Sequence, residues 1–174
     1  VKANSNALAL IVGVSKYEKT SADALYADKD AEVFRDYAEY RLGVPSSNIK
    51  TFVNEEAEMG EILLGIKDWL SRVTKRGKSD VYVFFAGHGL ASDDGKQMYL
   101  LPYDGRPRLL EDTAILRSRL FSDIESSKPR SVTVFLDTCY SGTTRGTERL
   151  IASRPIVVRA KASAVPEGFT VFSA

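Results

Sequence analysis

The sequence predicts an α/β fold, a three-layer α/β/α sandwich built around a mostly parallel sheet. Three observations lead there. Short, continuous apolar runs recur along the chain, as expected of strands buried on both faces. Amphipathic helical stripes separate these runs, so strands and helices alternate, and right-handed crossovers then place helices on both faces of the sheet. Internal repeats and low-complexity tracts are absent, so neither a solenoid nor a fibrous architecture is indicated.

The first run is Ala7-Leu-Ala-Leu-Ile-Val-Gly-Val14, closed by Ser15-Lys16. From Asp28 to Leu42 the apolar positions Ala31, Phe34, Ala38 and Leu42 recur at three- and four-residue steps, then Gly43 and Pro45 supply a stop. Asn48 to Val53 reads as a second strand. Ile62, Leu63, Ile66, Trp69, Leu70 and Val73 form another helical stripe, ending near Gly77. Val81-Tyr-Val-Phe-Phe85 and Ser131-Val-Thr-Val-Phe-Leu136 are the third and fourth buried strands. Between them lie a hairpin around Met98 to Leu101 and a helix carrying Leu116, Leu120, Phe121 and Ile124. Phe169-Thr-Val-Phe172 begins a fifth strand.

Composition narrows the function classes. Lys and Arg total 24 against 23 Asp and Glu, so the formal charge of +1 over 174 residues gives no general drive toward nucleic acid or an anionic membrane surface. No apolar run approaches the length of a bilayer span. A single cysteine excludes an internal disulfide framework, and a single histidine excludes a Cys/His zinc cluster. No secretory signal is visible, so the expected setting is a reducing cytoplasm.

The segment 140–165 differs from the rest. It carries Arg145, Arg149, Arg154, Arg159 and Lys161 against one acid, Glu148, and is rich in Gly, Ser and Thr. It reads as a long, exposed, basic loop, and loops of such length in compact domains are usually functional or disordered.

The chemistry concentrates at two strand ends. The third strand runs into Ala86-Gly-His88-Gly89, and the fourth into Asp137-Thr-Cys139-Tyr-Ser-Gly142. The lone imidazole and the lone thiol therefore both fall at the carboxyl ends of buried strands, where α/β sheets gather their reactive groups. A thiolate is a strong nucleophile, and a neighbouring imidazole can accept its proton and later protonate a leaving amine. The N–H groups of Gly89 and Cys139 are candidate donors to the oxyanion of a tetrahedral intermediate, at about 3 kcal/mol per donor.

Phe84-Phe-Ala-Gly-His-Gly89 and Leu136-Asp-Thr-Cys-Tyr-Ser-Gly142 resemble the histidine and cysteine motifs of caspase-like cysteine peptidases, and look more like the metacaspase and bacterial orthocaspase branch than animal caspases. The 51-residue step from His88 to Cys139 matches the spacing of roughly 50 residues in caspases, although the Q-A-C-[RQG]-G signature of that animal branch is absent. Leu10-Ile-Val-Gly-Val14 and Tyr26-Ala-Asp-Lys-Asp-Ala31 also resemble the first strand and helix of that branch.

The resemblance implies a caspase-like (hemoglobinase) fold with residues 1–174 as one catalytic domain, equivalent to a large subunit whose sheet is incomplete at its C-terminal end. It implies a cysteine endopeptidase with a His88–Cys139 dyad and a thioester acyl-enzyme, cleaving after Arg or Lys. Asp30 and Asp137 are the positions matching the pocket acids of such enzymes, where a buried carboxylate pair would select a cationic side chain. Arg145, Arg149, Arg154, Arg159 and Lys161 become candidate self-cleavage sites in a processing region. The expected partners are a protein or peptide substrate and a small subunit or downstream segment. Some relatives need calcium, but Asp93, Asp94 and Asp104 lack the regular spacing of a calcium loop, and Asp93-Asp-Gly95 reads as a turn, so no metal or cofactor is expected. Ala86 stands where many metacaspases have serine. The rival reading is a catalytically silent scaffold or signalling module. A nucleotide-binding domain is disfavoured because no Gly-rich phosphate loop follows the first strand.

Overall fold

The computed structural model describes residues 3–138, 140–142 and 165–174. Its centre is a five-stranded, all-parallel sheet in the order β2-β1-β3-β7-β9, formed by β1 (Leu8–Gly13), β2 (Ile49–Val53), β3 (Asp80–Ala86), β7 (Ser131–Asp137) and β9 (Phe169–Ser173). β1 is buried along its whole length, which explains its unbroken apolar sequence.

Alternate residues of β1 serve two cores. Ala9 and Ile11, with Ala7 just before the strand, pack under helix α1 (Ala27–Tyr40) through Ala27, Ala31, Phe34 and Ala38. Leu8, Leu10 and Val12 face the opposite layer, where Ile62, Ile66 and Leu70 come from α2 (Met59–Leu64) and the π-helical turn Gly65–Leu70 that continues it. That segment ends as α3 (Ser71–Val73). The predicted second helical stripe is therefore one helical run whose middle is π-wound. Leu120, Phe121 and Ile124 of α5 (Arg117–Glu125) complete the second layer. The chain steps one way from β1 to β2 with its helix on one face. It then steps the other way from β2 to β3 and from β3 to β7 with helices on the opposite face, as right-handed crossovers require. Three layers and a mostly parallel sheet thus follow from the pattern of the sequence.

Gly13 lets the first layer close. A Cβ built there would lie 2.5 Å from both the carbonyl oxygen of Ala27 and the Cβ of Ala31, so α1 seats on the end of β1 only over glycine. Aromatic contacts then tie α1 to the sheet: Phe34 stacks on Phe84 at 4.5 Å and meets Phe135 at 5.1 Å.

A second, four-stranded sheet was not foreseen. It runs β6-β5-β4-β8, from β4 (Gly89–Ala91), β5 (Met98–Leu100), β6 (Ile115–Leu116) and β8 (Tyr140–Gly142). The hairpin expected near Met98 to Leu101 is its β4–β5 pair. Leu116 belongs to β6 rather than to the helix assigned to it, since that helix starts at Arg117, after the four-residue α4 (Leu110–Thr113). The first residues of the presumed basic loop also form a strand, because Tyr140 to Gly142 pair with Gly89 to Ala91. The remainder of that loop, 143–164, lies outside the described residues. Among the described residues no helix is long and apolar enough to cross a membrane.

The amino ends of the strands are locked by one carboxylate. Asp80 accepts hydrogen bonds from Asn4 Nδ2 at 2.8 Å, Arg130 Nε at 2.9 Å and Ser131 Oγ at 2.7 Å, and Arg130 Nη2 closes a bidentate pair. The Arg130 guanidinium, more than any other neighbour, holds its carboxyl below the usual aspartate range.

Candidate active site

Two chain segments leave the large sheet side by side and enter the small sheet side by side. β3 passes through Gly87 and His88 into β4, while β7 passes through Thr138 and Cys139 into β8. Ala86 pairs with Asp137 on one side of this crossing, and Gly89 pairs with Tyr140 on the other. Both pairs are 51 residues apart along the chain, so the offset between the two segments is the same on either side of the crossing. The N–H of Gly87 donates to the carbonyl of Asp137 at 3.2 Å, extending the pairing one residue past β3.

His88 is half-buried and held on several sides. Its backbone N–H donates to Tyr17 Oη at 2.7 Å, and its carbonyl accepts from the N–H of Leu101 at 3.0 Å. Its ring stacks on Tyr17 with centroids 4.8 Å apart and planes inclined by 18°. Nε2 lies 2.8 Å from the carbonyl oxygen of Ala22. A carbonyl can only accept, so Nε2 carries the proton and Nδ1 keeps the lone pair of the neutral ring. Burial pushes the imidazole pKa below its ordinary value, opposed by the Ala22 carbonyl and by the charge of Asp23. A neutral ring with its basic atom at Nδ1 is the form a general base requires.

Gly87 makes this arrangement possible. Its φ of 151° lies in territory that side chains rarely occupy, and a Cβ there would approach Tyr17 Oη to 2.7 Å. The loop carrying Tyr17 and Ala22 is itself pinned: Asn54 Oδ1 accepts from Ser15 N–H at 2.9 Å, Ser15 Oγ at 3.0 Å and Lys16 N–H at 3.3 Å, and the N–H of Glu18 donates to Tyr103.

Of the other residues singled out by sequence, Gly89 is buried and opens β4. Cys139 lies outside the described residues, as do Arg145, Arg149, Arg154, Arg159 and Lys161. Asp137 ends β7 on the same face as Phe135, the face toward α1, because strand side chains alternate. Asp30 stands on α1 one turn before Phe34, the residue that meets Phe135. The helix steps back by about 6 Å from Phe34 to Asp30, and the strand advances about 6.6 Å from Phe135 to Asp137. Both carboxylates therefore sit one step toward the carboxyl ends of the strands from the same aromatic contact.

The expectation of a buried carboxylate pair is corrected, since Asp30 is half-buried and Asp137 exposed. The cause is the placement of α1. It packs over β2, β1 and β3, leaving the β7–β9 end of that face open among the described residues, where Phe172 is 54% exposed.

The acids considered for calcium have other tasks. Asp94 Oδ1 accepts from Ser92 Oγ at 2.6 Å and Lys96 N–H at 3.0 Å in the β4–β5 turn, with Gly95 at φ 69°. Asp104 Oδ1 accepts from the N–H of Met59 at the start of α2, at 2.8 Å. Among the described residues no group of three or more His, Cys, Asp or Glu side chains is placed to hold a metal ion.

Sequence reasoning missed Tyr17 and Ala22. Tyr17 had one faint signal, an aromatic residue shortly past the first strand end. Ala22 had none, because it acts through a backbone carbonyl.

A mostly parallel sheet that presents a histidine at one strand end, beside the strand leading to the only cysteine, is the architecture of caspase-like proteins. The chain belongs to the caspase-domain family: the model of that family, Peptidase C14, described as "Caspase domain", matches residues 6–174. Members of this family are cysteine peptidases. Among solved structures, protein GSU0716 from Geobacter sulfurreducens is similar over 79% of this chain and 52% of its own, at 17% identity and a TM-score of 0.58. The structure of pro-sf-caspase-1 is similar over 99% of this chain and 62% of its own, at 13% identity and a TM-score of 0.56. At these identities the likeness concerns the fold, and the chain spans less than two thirds of either neighbour. No curated protein matches.

Proposed function

We propose that the protein is a cysteine endopeptidase of the metacaspase and orthocaspase type, cleaving after Arg or Lys with Cys139 as nucleophile and His88 as general base. One observation carries the reading: the register pairs bracketing His88 and Cys139 keep the same offset on both sides. In the sequence Cys139 follows His88 at the same 51-residue offset, which supports reading the two as partners.

The reaction follows from the imidazole's tautomer. The Cys139 thiol passes its proton to His88 Nδ1 while sulfur bonds to the substrate carbonyl carbon. The resulting oxyanion takes hydrogen bonds from the Gly89 and Cys139 N–H groups. The imidazolium then protonates the leaving amine as the C–N bond breaks, and a thioester remains on Cys139. Water, deprotonated by the now neutral His88, attacks the thioester; the C–S bond breaks to release the acid, and the imidazolium returns its proton to the Cys139 sulfur. Throughout, the Ala22 carbonyl keeps Nε2 protonated and the ring oriented, and it stabilises the imidazolium that forms.

Specificity for a basic side chain is supported by Asp30 and Asp137, two acids on one face of the sheet at the strand ends. Such an enzyme can also cut itself, and Arg145, Arg149, Arg154, Arg159 and Lys161 are the bonds we assign to self-processing. The substrates are proteins or peptides, and a small subunit or downstream segment completes the cleft in this reading.

Hydrolysis of fluorogenic Arg and Lys peptides, with an Asp peptide as control, tests the proposal in wild type and Cys139→Ala. Turnover of the basic peptides alone, abolished by the substitution, is the expected result. A folded wild type that turns over none of them would favour the silent-scaffold reading.

A further inference from the structure

Tyr17 is buried in the main core, yet a phenylalanine would fill the same space without the cost of desolvating a hydroxyl. The hydroxyl needs a partner, and among the described residues its partner is the His88 N–H, at 2.7 Å. The ring needs no partner but has one, since it lies 4.8 Å from the imidazole centroid at an angle of 18°. Tyr17 thus touches His88 twice, once at the peptide and once at the ring face. A side chain at Gly87 would strike the same hydroxyl, because a Cβ built there lies 2.7 Å from Tyr17 Oη. Burial keeps the phenol protonated far into alkali, leaving its oxygen a neutral acceptor at any working pH.

The geometry points to Tyr17 as a positioning residue for His88: its hydroxyl fixes the His88 peptide, and its ring fixes the imidazole plane that Ala22 holds at Nε2. Only the kinetic consequence rests on the peptidase reading above. The two contacts are separable by substitution. Tyr17→Phe removes the hydroxyl and keeps the stack. Tyr17→Leu removes both, opens one face of the imidazole to water and loosens the ring.

Because His88 is the only histidine in the chain, its imidazole gives a single set of ring resonances. The test is nitrogen-15 NMR titration of that ring and amide exchange of His88, together with kcat and KM for an Arg peptide, in wild type and both variants. Wild type is expected in the Nε2–H tautomer, titrating below the ordinary value near 6.5. Tyr17→Phe should keep that titration, while His88 amide exchange rises about tenfold or more and kcat falls about tenfold at nearly unchanged KM, the mark of lost positioning. Tyr17→Leu should shift the titration upward and mix the tautomers. Should Tyr17→Leu fail to fold, Tyr17→Phe decides alone. Wild-type amide exchange and kcat in Tyr17→Phe, or a wild-type tautomer and titration in a folded Tyr17→Leu, would overturn the inference. If wild type has no turnover, the peptidase reading fails, whereas the NMR measurements still decide the role of Tyr17.

Discussion

The imidazole of His88 reaches across the site to the backbone of Ala22, with 2.8 Å between Nε2 and the carbonyl oxygen. A backbone acceptor does the orienting that a carboxylate performs in many catalytic triads, and it brings no formal charge. The ring accordingly gains less support for its protonated form than a carboxylate would give, and burial prevails.

That balance sets a pH dependence. His88 loses its proton more readily in the folded protein than in the unfolded chain, so the folded state binds fewer protons between the folded value and about 6.5. Its contribution to stability is complete above pH ~6.5 and is lost as pH falls toward the folded value. The acid limb of kcat/KM should likewise fall below pH ~6.5. A pH–rate profile with substrate well below KM checks this, and an acid limb at or above 7 would contradict it.

Gly87→Ala should damage fold and site together. The new methyl meets Tyr17 Oη and the backbone is forced to hold a positive φ, so a loss of about 1–3 kcal/mol in stability is expected. Denaturant melts would show it, and the His88 titration should move with it.

Charge removal at the pocket should separate specificity from chemistry. Asp137→Asn and Asp30→Asn are each expected to lower kcat/KM for an Arg peptide by about 10- to 100-fold, the worth of one charged hydrogen bond. The rate at which a small, uncharged alkylating agent labels Cys139 should be unchanged in both. Competition between Arg and Leu peptides reads the effect, and an undiminished Arg preference in both variants would remove the acids from the pocket.

Asp80 governs a different property. Its lowered carboxyl contributes stability above the unfolded value of about 3.9, and this is lost as pH falls through the folded value. Asp80→Asn should cost about 1–3 kcal/mol at neutral pH and flatten the acid end of the stability curve, with no effect on hydrolysis per folded molecule. Urea melts from pH 3 to 7 check both statements.

How far the sequence spoke depended on the length and kind of each signal. β1 and β3 were legible because strands covered on both faces carry nearly unbroken apolar runs, β7 because Val132, Val134 and Leu136 keep one face buried, and α1 because Ala31, Phe34 and Ala38 keep one buried stripe. The small sheet was not, since β4 and β8 have three residues each and β6 two, too short for any periodicity to register. The π-wound turn escaped because its buried residues Ile66 and Leu70 fit an α-helical stripe equally well. His88 stood out as the only imidazole at the end of a buried strand. The contacts that set its proton and plane did not, because one is a carbonyl of an alanine and the other a tyrosine distant in sequence. The exposure of Asp137 was misjudged for a related reason: a one-dimensional pattern places an acid at a strand end but says nothing of how far the covering helix extends.

The meeting of His88 and Cys139 is tested most directly by covalent capture. The protein would be treated with an arginyl chloromethyl ketone, digested and mapped by mass spectrometry, alongside His88→Ala and an aspartyl analogue of the reagent. The account predicts one adduct, on Cys139, formed by the arginyl reagent and slowed at least about a hundredfold in His88→Ala, in line with the usual share of a general base. Labelling of Cys139 at equal rates with and without His88, or by both reagents alike, would contradict it.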